Sequence, residues 1–244
     1  MPLYTLSFQE KKQVATGTFE FIFSKPEGFT YEAGQNMDWT LIDAKENDAE
    51  GLLRTFSLTS APSDSYLAFA TRMRDSAFKR QVAQFQKGNE IQAQGPNGDM
   101  TLQLLGPQNP AVFLAGGIGI TPFLSMVKDA VQKKLPTEIS LFYSNHSAAD
   151  APFFEELKQL FSQLPNGKFI PTMTNDENFQ GEKGYIDAAM IQRHVKDIQS
   201  PIYFVAGPPA MAEAMKKTLR DMGVPRLHIV SENFDGYEKE RKPL

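Results

Sequence analysis

One stretch, AVFLAGGIGITPFLSMV at residues 111–127, constrains this chain more than any other. It opens as an apolar run containing Val112 and Phe113, the pattern of a strand buried on both faces of a parallel sheet. Gly116, Gly117 and Gly119 then allow a tight turn and a close approach of backbone to a ligand. Thr121 puts a hydroxyl where a helix should begin. Pro122 suits a first helical turn, because its missing N–H costs nothing there. Strand, glycine turn and helix N-terminus in series present free amides and the positive end of a helix dipole. That arrangement suits the phosphates of a dinucleotide. Two plainer readings stand beside it: a membrane span, and a purely structural strand-to-helix turn. The run is shorter than the ~20 residues a span needs, and glycines and a proline interrupt it. Pro122 also stands where the third glycine of a G-x-G-x-x-G fingerprint would fall.

The 244 residues suffice for one large domain or two of ordinary size, and 41% hydrophobic residues can fill a core. Twenty-five Lys and Arg against 29 Asp and Glu leave a net charge of −4, with no general attraction to nucleic acid. The absence of cysteine excludes a disulfide framework, a Cys-ligated zinc site and a cysteine-held iron–sulfur cluster on this chain. No metal site is expected from the three histidines: His194 and His228 read as helix-surface and strand residues. The N-terminal residues lack a basic segment followed by an apolar core, so no signal peptide and a cytoplasmic location are expected.

The first hundred residues read as β-structure. Alternation or turn-bounded runs mark strands at residues 16–26, 35–43, 54–62, 65–73 and 89–96. One helix interrupts them, with Ser76 as cap and Phe78, Val82 and Phe85 on one face. Six or seven short strands with one helix imply a small antiparallel barrel. Residues 104–110 are rich in turn formers and mark a boundary between domains at 1–106 and 107–244. Strands then alternate with helices: strands at 111–115, 138–144, 168–173, 201–206 and 227–230, helices at 122–133, 151–164, 187–195 and 208–222. This alternation implies a parallel sheet covered by helices. Met211, Met215, Leu219 and Met222 form one apolar stripe that reads as core, Asp187 reads as a cap, and Gly223 stands where a helix stops.

A second constellation is Arg54-Thr55-Phe56-Ser57-Leu58-Thr59-Ser60. Strand alternation puts Arg54, Phe56, Leu58 and Ser60 on one side and Thr55, Ser57 and Thr59 on the other. By itself this is equally an edge strand with a solvated Arg. Four motifs in register change that: RTFS at residues 54–57, GGIGITP at 116–122, AGPP at 206–209 and ENF at 232–234. With the β-then-α/β order, they make the chain resemble the ferredoxin–NADP reductase superfamily of flavoproteins, over nearly its whole length.

The resemblance implies a two-domain β plus α/β protein, with a six-stranded antiparallel FAD-binding barrel followed by a parallel-sheet nucleotide-binding domain. It implies hydride transfer from NAD(P)H to FAD. Arg54 would meet the flavin pyrophosphate, for which a forked cation is suited. Thr55 lies beside it in the motif. Phe56 replaces the usual Tyr, keeping a stacking face but no hydroxyl. Ser57 would bond the flavin near N5. Thr71, Arg72 and Met73 would line the flavin with backbone. Ser76, Ala77, Phe78 and Lys79 stand for the family's Gly-x-x-Ser at the phosphates, with Lys79 an added cation. Gly117 and Thr121 would contact the dinucleotide. Gly207 and Pro208 would shape the nicotinamide pocket, and Ala206 replaces the family's frequent Cys. Glu232 would relay a proton or orient nicotinamide, while Phe234 or Tyr237 would cover the ring. Ser144 with His146 at the ribose leans toward NADPH over NADH. The implied acceptor is a small carrier such as ferredoxin or flavodoxin, with Arg72, Arg74, Lys79 and Arg80 as a basic docking surface. Free flavin or a small oxidant, and a non-catalytic subunit of a larger complex, are the alternatives.

Overall fold

The computed structural model describes residues 2–104 and 109–233. Six antiparallel strands form the first sheet: β1 (Leu3–Ala15), β2 (Thr18–Ser24), β3 (Asn36–Leu41), β4 (Leu53–Ser57), β5 (Tyr66–Arg72) and β6 (Glu90–Asn97). Their order is β4-β3-β6-β1-β2-β5, and a bridge between Leu58 and Phe69 joins the two edges into a barrel. Helix α1 (Ala77–Ala83) follows β5, with the Ser76 hydroxyl accepting from Lys79 N–H as its cap. Phe21, Phe23, Trp39, Phe69 and Phe78 fill the interior, and Phe69 stacks on both Phe21 and Phe23.

β1 is missing from the strands that alternation marks, although it pairs with both β2 and β6. Its middle, Gln9 to Gln13, is polar and exposed, so that half of the strand carries no period-2 signal.

The second sheet contains β7 (Ala111–Gly116), β8 (Ile139–Asn145), β9 (Gly167–Met173), the two-residue β10 (Glu182–Lys183), β11 (Ile202–Gly207) and β12 (Ile229–Asn233). All its pairings are parallel, in the order β10-β9-β8-β7-β11-β12. Alternation sorts the two faces. On β7, Ala111, Phe113 and Ala115 pack toward α2 (Thr121–Lys133) and α3 (Phe154–Phe161). Val112 and Leu114 pack toward α4 (Ala188–His194) and α5 (Pro209–Asp221). A strand covered on both faces must be apolar throughout, which is why this run reads as unbroken hydrophobicity. The α5 stripe lies in the core, with Leu219 fully buried, and Asp187 accepts from Met190 N–H at 2.7 Å as the α4 cap.

Two expectations need correction. Residues 226–228 form a short 3-10 turn rather than strand, so His228 precedes β12 and bonds the Gln199 carbonyl. Thr121 does not cap α2. A 3-10 turn at Gly117–Ile120 runs directly into the helix, and the Thr121 hydroxyl donates back to the Ile118 carbonyl at 3.1 Å.

The two halves share a packed junction. Ala33, Ala70 and Met100 join the core under α2. Ser125 on α2 donates to the Ser60 carbonyl at 2.6 Å, and Tyr31 donates to the same carbonyl from the barrel. No helix among the described residues is long and apolar enough to cross a membrane.

Candidate active site

In an open parallel sheet, the crevice lies at the carboxyl ends of the strands where the strand order reverses. Here that point falls between β7 and β11. Both strands end there in glycine, Gly116 and Gly207, and in register Ala206 faces Ala115. Gly117 has φ +52 and nothing within 4 Å of where a Cβ would stand, so its backbone borders open space. Gly119 is the reverse case. An added Cβ would overlap the Ala206 carbonyl and come within 2.7 Å of Gly207 Cα. The two turns therefore touch through Gly119, and Gly117 faces outward. The Tyr143 hydroxyl lies within hydrogen-bond distance of the Gly117 and Pro152 carbonyls, at 3.2 and 3.0 Å, and fixes the turn.

Ser144 pairs with Gly116 one strand over and is half-buried. His146 is exposed, with Nδ1 3.1 Å from the Thr174 hydroxyl. Gly207 is buried and Pro208 half-buried at the start of α5. These residues share one edge with Gly117 and Thr121, whose side chain is buried.

The barrel meets this edge through Asn36. In β3 it pairs with Ser57 of β4 on one side and with Asn97 of β6 on the other. Its Nδ2 donates to Glu232 Oε1 at 3.0 Å, across the junction. Glu232 stands opposite Ala206 on β11. Ser57, Asn36, Glu232, Ala206 and the glycine turn thus form a continuous line. Burial raises the Glu232 carboxyl above its ordinary range, and the Asn36 amide pulls it back. Oε2 is buried without a hydrogen-bond partner among the described residues.

Phe56 is half-buried and stacks on Phe69, with centroids 4.4 Å apart and planes 8° apart. Thr55 points the other way and donates to Asp38. Thr71 is fully buried, Arg72 exposed and Met73 half-buried.

Arg54 is held by its own neighbourhood. Its guanidinium donates to the Glu50 carboxylate at 2.9 Å and to the carbonyls of Glu50, Gly51 and Leu53, and lies over the Phe78 ring. The Glu50 carboxylate also accepts two bonds from Arg74, both at 2.8 Å. Asp48 accepts from Ala77 N–H at 2.5 Å, at the start of α1, and Glu46 accepts from Arg80 at 2.6 Å. The Arg74 bonds hold Glu50 below its usual range, and the Ala77 amide does the same for Asp48. Three carboxylates of one segment therefore engage Arg54 and the helix amide expected at the phosphates, and Arg74 and Arg80 expected to dock a carrier. The density of acids in KENDAEG, just before RTFS, is the sequence signal for this clamp.

Lys79 is not an outward cation: it is 2% exposed, and its ammonium donates to the Arg72 carbonyl at 2.7 Å. With Arg74 on Glu50 and Arg80 on Glu46 and Asp75, three of the four cations expected to dock a carrier are already engaged. Phe234 and Tyr237 lie outside the described residues. Among the described residues, no group of three His, Asp or Glu side chains is placed to hold a metal ion.

Residues 113–217 match the oxidoreductase NAD-binding domain family. The glycine betaine monooxygenase reductase subunit of Chromohalobacter salexigens is 28% identical over 224 residues, covering 89% of this chain and 60% of that protein. Flavohemoprotein A of Dictyostelium discoideum is 26% identical over 237 residues, covering 92% and 58%. This chain thus spans about 60% of the length of these relatives. Among solved structures, a ferredoxin NADP+ reductase from Neisseria gonorrhoeae with bound FAD and NADP superposes with a TM-score of 0.80 at 21% identity. It covers 95% of this chain and 98% of that one.

Proposed function

We propose that the chain is a member of the ferredoxin reductase-like superfamily, which the NAD-binding domain match over residues 113–217 supports, and that it passes hydride from NAD(P)H to FAD and electrons onward to a separate acceptor. The observation that carries the reading is the line from Ser57 through Asn36 and Glu232 to the glycine turn. It brings the expected flavin strand and the expected nucleotide turn to one edge.

The residues fit both groups chemically. Gly117 leaves room for a phosphate against backbone, as a dinucleotide requires. Arg54, Arg74 and the Ala77 amide already hold anions, here the carboxylates of Glu50 and Asp48, so a flavin pyrophosphate has its donor set. A bound flavin supplies a ring that accepts hydride and releases electrons singly or in pairs. The chain's part is placement. Phe56 offers a ring face already braced by Phe69. Ser57 offers a hydroxyl, and Glu232 holds a proton or accepts one at Oε2. Gly207 and Pro208 shape the nicotinamide side. Ser144 and His146 hold the ribose 2′-phosphate, which favours NADPH.

The acceptor proposed first is a small carrier protein. The relative described as a monooxygenase reductase subunit supports it. One observation favours a second reading, reduction of free flavin or a small oxidant: the cations near α1 are neutralised by carboxylates rather than displayed.

Heat release of the flavin from the purified yellow protein identifies FAD or FMN, and an anaerobic acceptor screen with both nicotinamides follows. FAD, with carrier reduction that falls as salt rises, is expected. A colourless protein that takes up no added flavin ends the reading. Saturable acceleration by free flavin, with a salt-independent response to carriers, selects the second acceptor. A preference for NADH above about tenfold in kcat/KM, or 1.4 kcal/mol, removes the NADPH assignment.

A further inference from the structure

We propose that Asn36 is a positioning residue for Glu232, fixing one carboxyl oxygen as the acceptor and favouring the acid's proton on the other. This rests on the reading of the junction as a hydride-transfer site. An amide N–H only donates. Oε1 must therefore accept from Asn36 Nδ2 whether Glu232 is charged or neutral. A carbonyl oxygen accepts better than a carboxylic O–H, so the proton of the neutral acid is favoured on Oε2, the buried oxygen with no partner among the described residues.

The donor is itself held in place. Asn36 is 9% exposed, and β-ladders on both sides fix its backbone. Its side chain lies in space left by Gly98. An added Cβ there would come within 2.9 Å of Nδ2, and Gly98 has φ +89. Any side chain at position 98 would displace the donor.

The surroundings of Glu232 leave the amide as its chief polar influence. Ala206 stands opposite on β11. Asp38, two residues along β3, accepts from Thr55 and Asn97. On α5, packed against β12, Lys216 pairs with Glu213 and Lys217 with Asp221, and Arg220 is exposed. The amide favours the charged carboxylate against a burial that favours the neutral acid.

The test is a carboxyl titration followed by isotope-edited infrared spectroscopy on the flavin-free chain, with Glu232→Gln assigning the band. Asn36→Leu should raise the Glu232 midpoint by about one pH unit, the size expected for losing a hydrogen bond to a charged group. Asn36→Asp, nearly isosteric and able to fold where Leu fails, should raise it further, because two carboxylates then face each other. The matching limb of the pH–rate profile for NAD(P)H oxidation should move with it. An unmoved midpoint in both variants overturns the proposal, even where the protein binds flavin and turns over. A shifted midpoint in a chain that binds no flavin removes the reductase reading and leaves the Asn36–Glu232 relation supported.

Discussion

The barrel and the α/β domain each offer one region suited to phosphates, built from different parts. In the barrel the parts are chiefly side chains, Arg54 and Arg74, joined by one backbone amide at the start of α1, and all three are already occupied by Glu50 and Asp48. In the α/β domain they are backbone: a glycine turn whose Gly117 borders open space. A charged donor left without an anion is costly to hold in place, so the barrel supplies its own anion. Backbone amides at a turn carry only partial charge and need none. On the proposed reading, ligand binding at the barrel would be an exchange of carboxylates for phosphates, and at the turn a simple addition.

The largest way to break this contrast is at Gly119. Gly119→Ala drives a methyl into the Ala206 carbonyl, where backbone cannot yield. It should cost about 3 kcal/mol, roughly 10 °C in Tm for a chain this long, with loss of nucleotide binding. Calorimetry with NAD(P)H titration checks it. At Gly117 the space is open and only φ +52 opposes a side chain. Gly117→Ala should therefore cost about 1 kcal/mol, with a smaller loss of nucleotide affinity.

At the barrel the sign reverses. Removing the internal anions with Asp48→Asn and Glu50→Gln should tighten FAD binding by about tenfold, read by flavin fluorescence quenching and tempered by the exposure of these pairs. Unchanged or weaker binding would show that the carboxylates do not compete with phosphate. The smallest effect is with pH. Glu50 and Asp48 have folded values depressed by Arg74 and by the Ala77 amide. Their contribution is present above the unfolded value and lost as pH falls through the folded one. Hydrogen exchange at the Ala77 amide should accelerate below about pH 4, relative to the amides of the glycine turn.

The same contrast decides what can be read from the sequence. The turn is legible because backbone function demands particular residues in a row: an apolar strand, three glycines and a proline. The barrel follows from period-2 alternation, and the parallel sheet from strands alternating with helices and from an apolar run whose Phe113 and Leu114 are buried on opposite faces. Side-chain function depends on partners distant in sequence. Nothing local marks Asn36 as the partner of Glu232, 196 positions away. Lys79 reads as an added cation for phosphate or a carrier from its place in a motif, yet it is buried and turned inward to the Arg72 carbonyl. The strand at residues 3–15 escapes because its polar half satisfies the ladder without an apolar face.

On the proposed reading, one edge of the parallel sheet and the Arg54 strand bring a nicotinamide and a flavin together. Anaerobic mixing of flavin-loaded protein with NADPH, followed at the flavin absorbance, tests it most directly. Rapid, stoichiometric bleaching is the predicted result, and protein that stays yellow with bound flavin and saturating NADPH and NADH would contradict it.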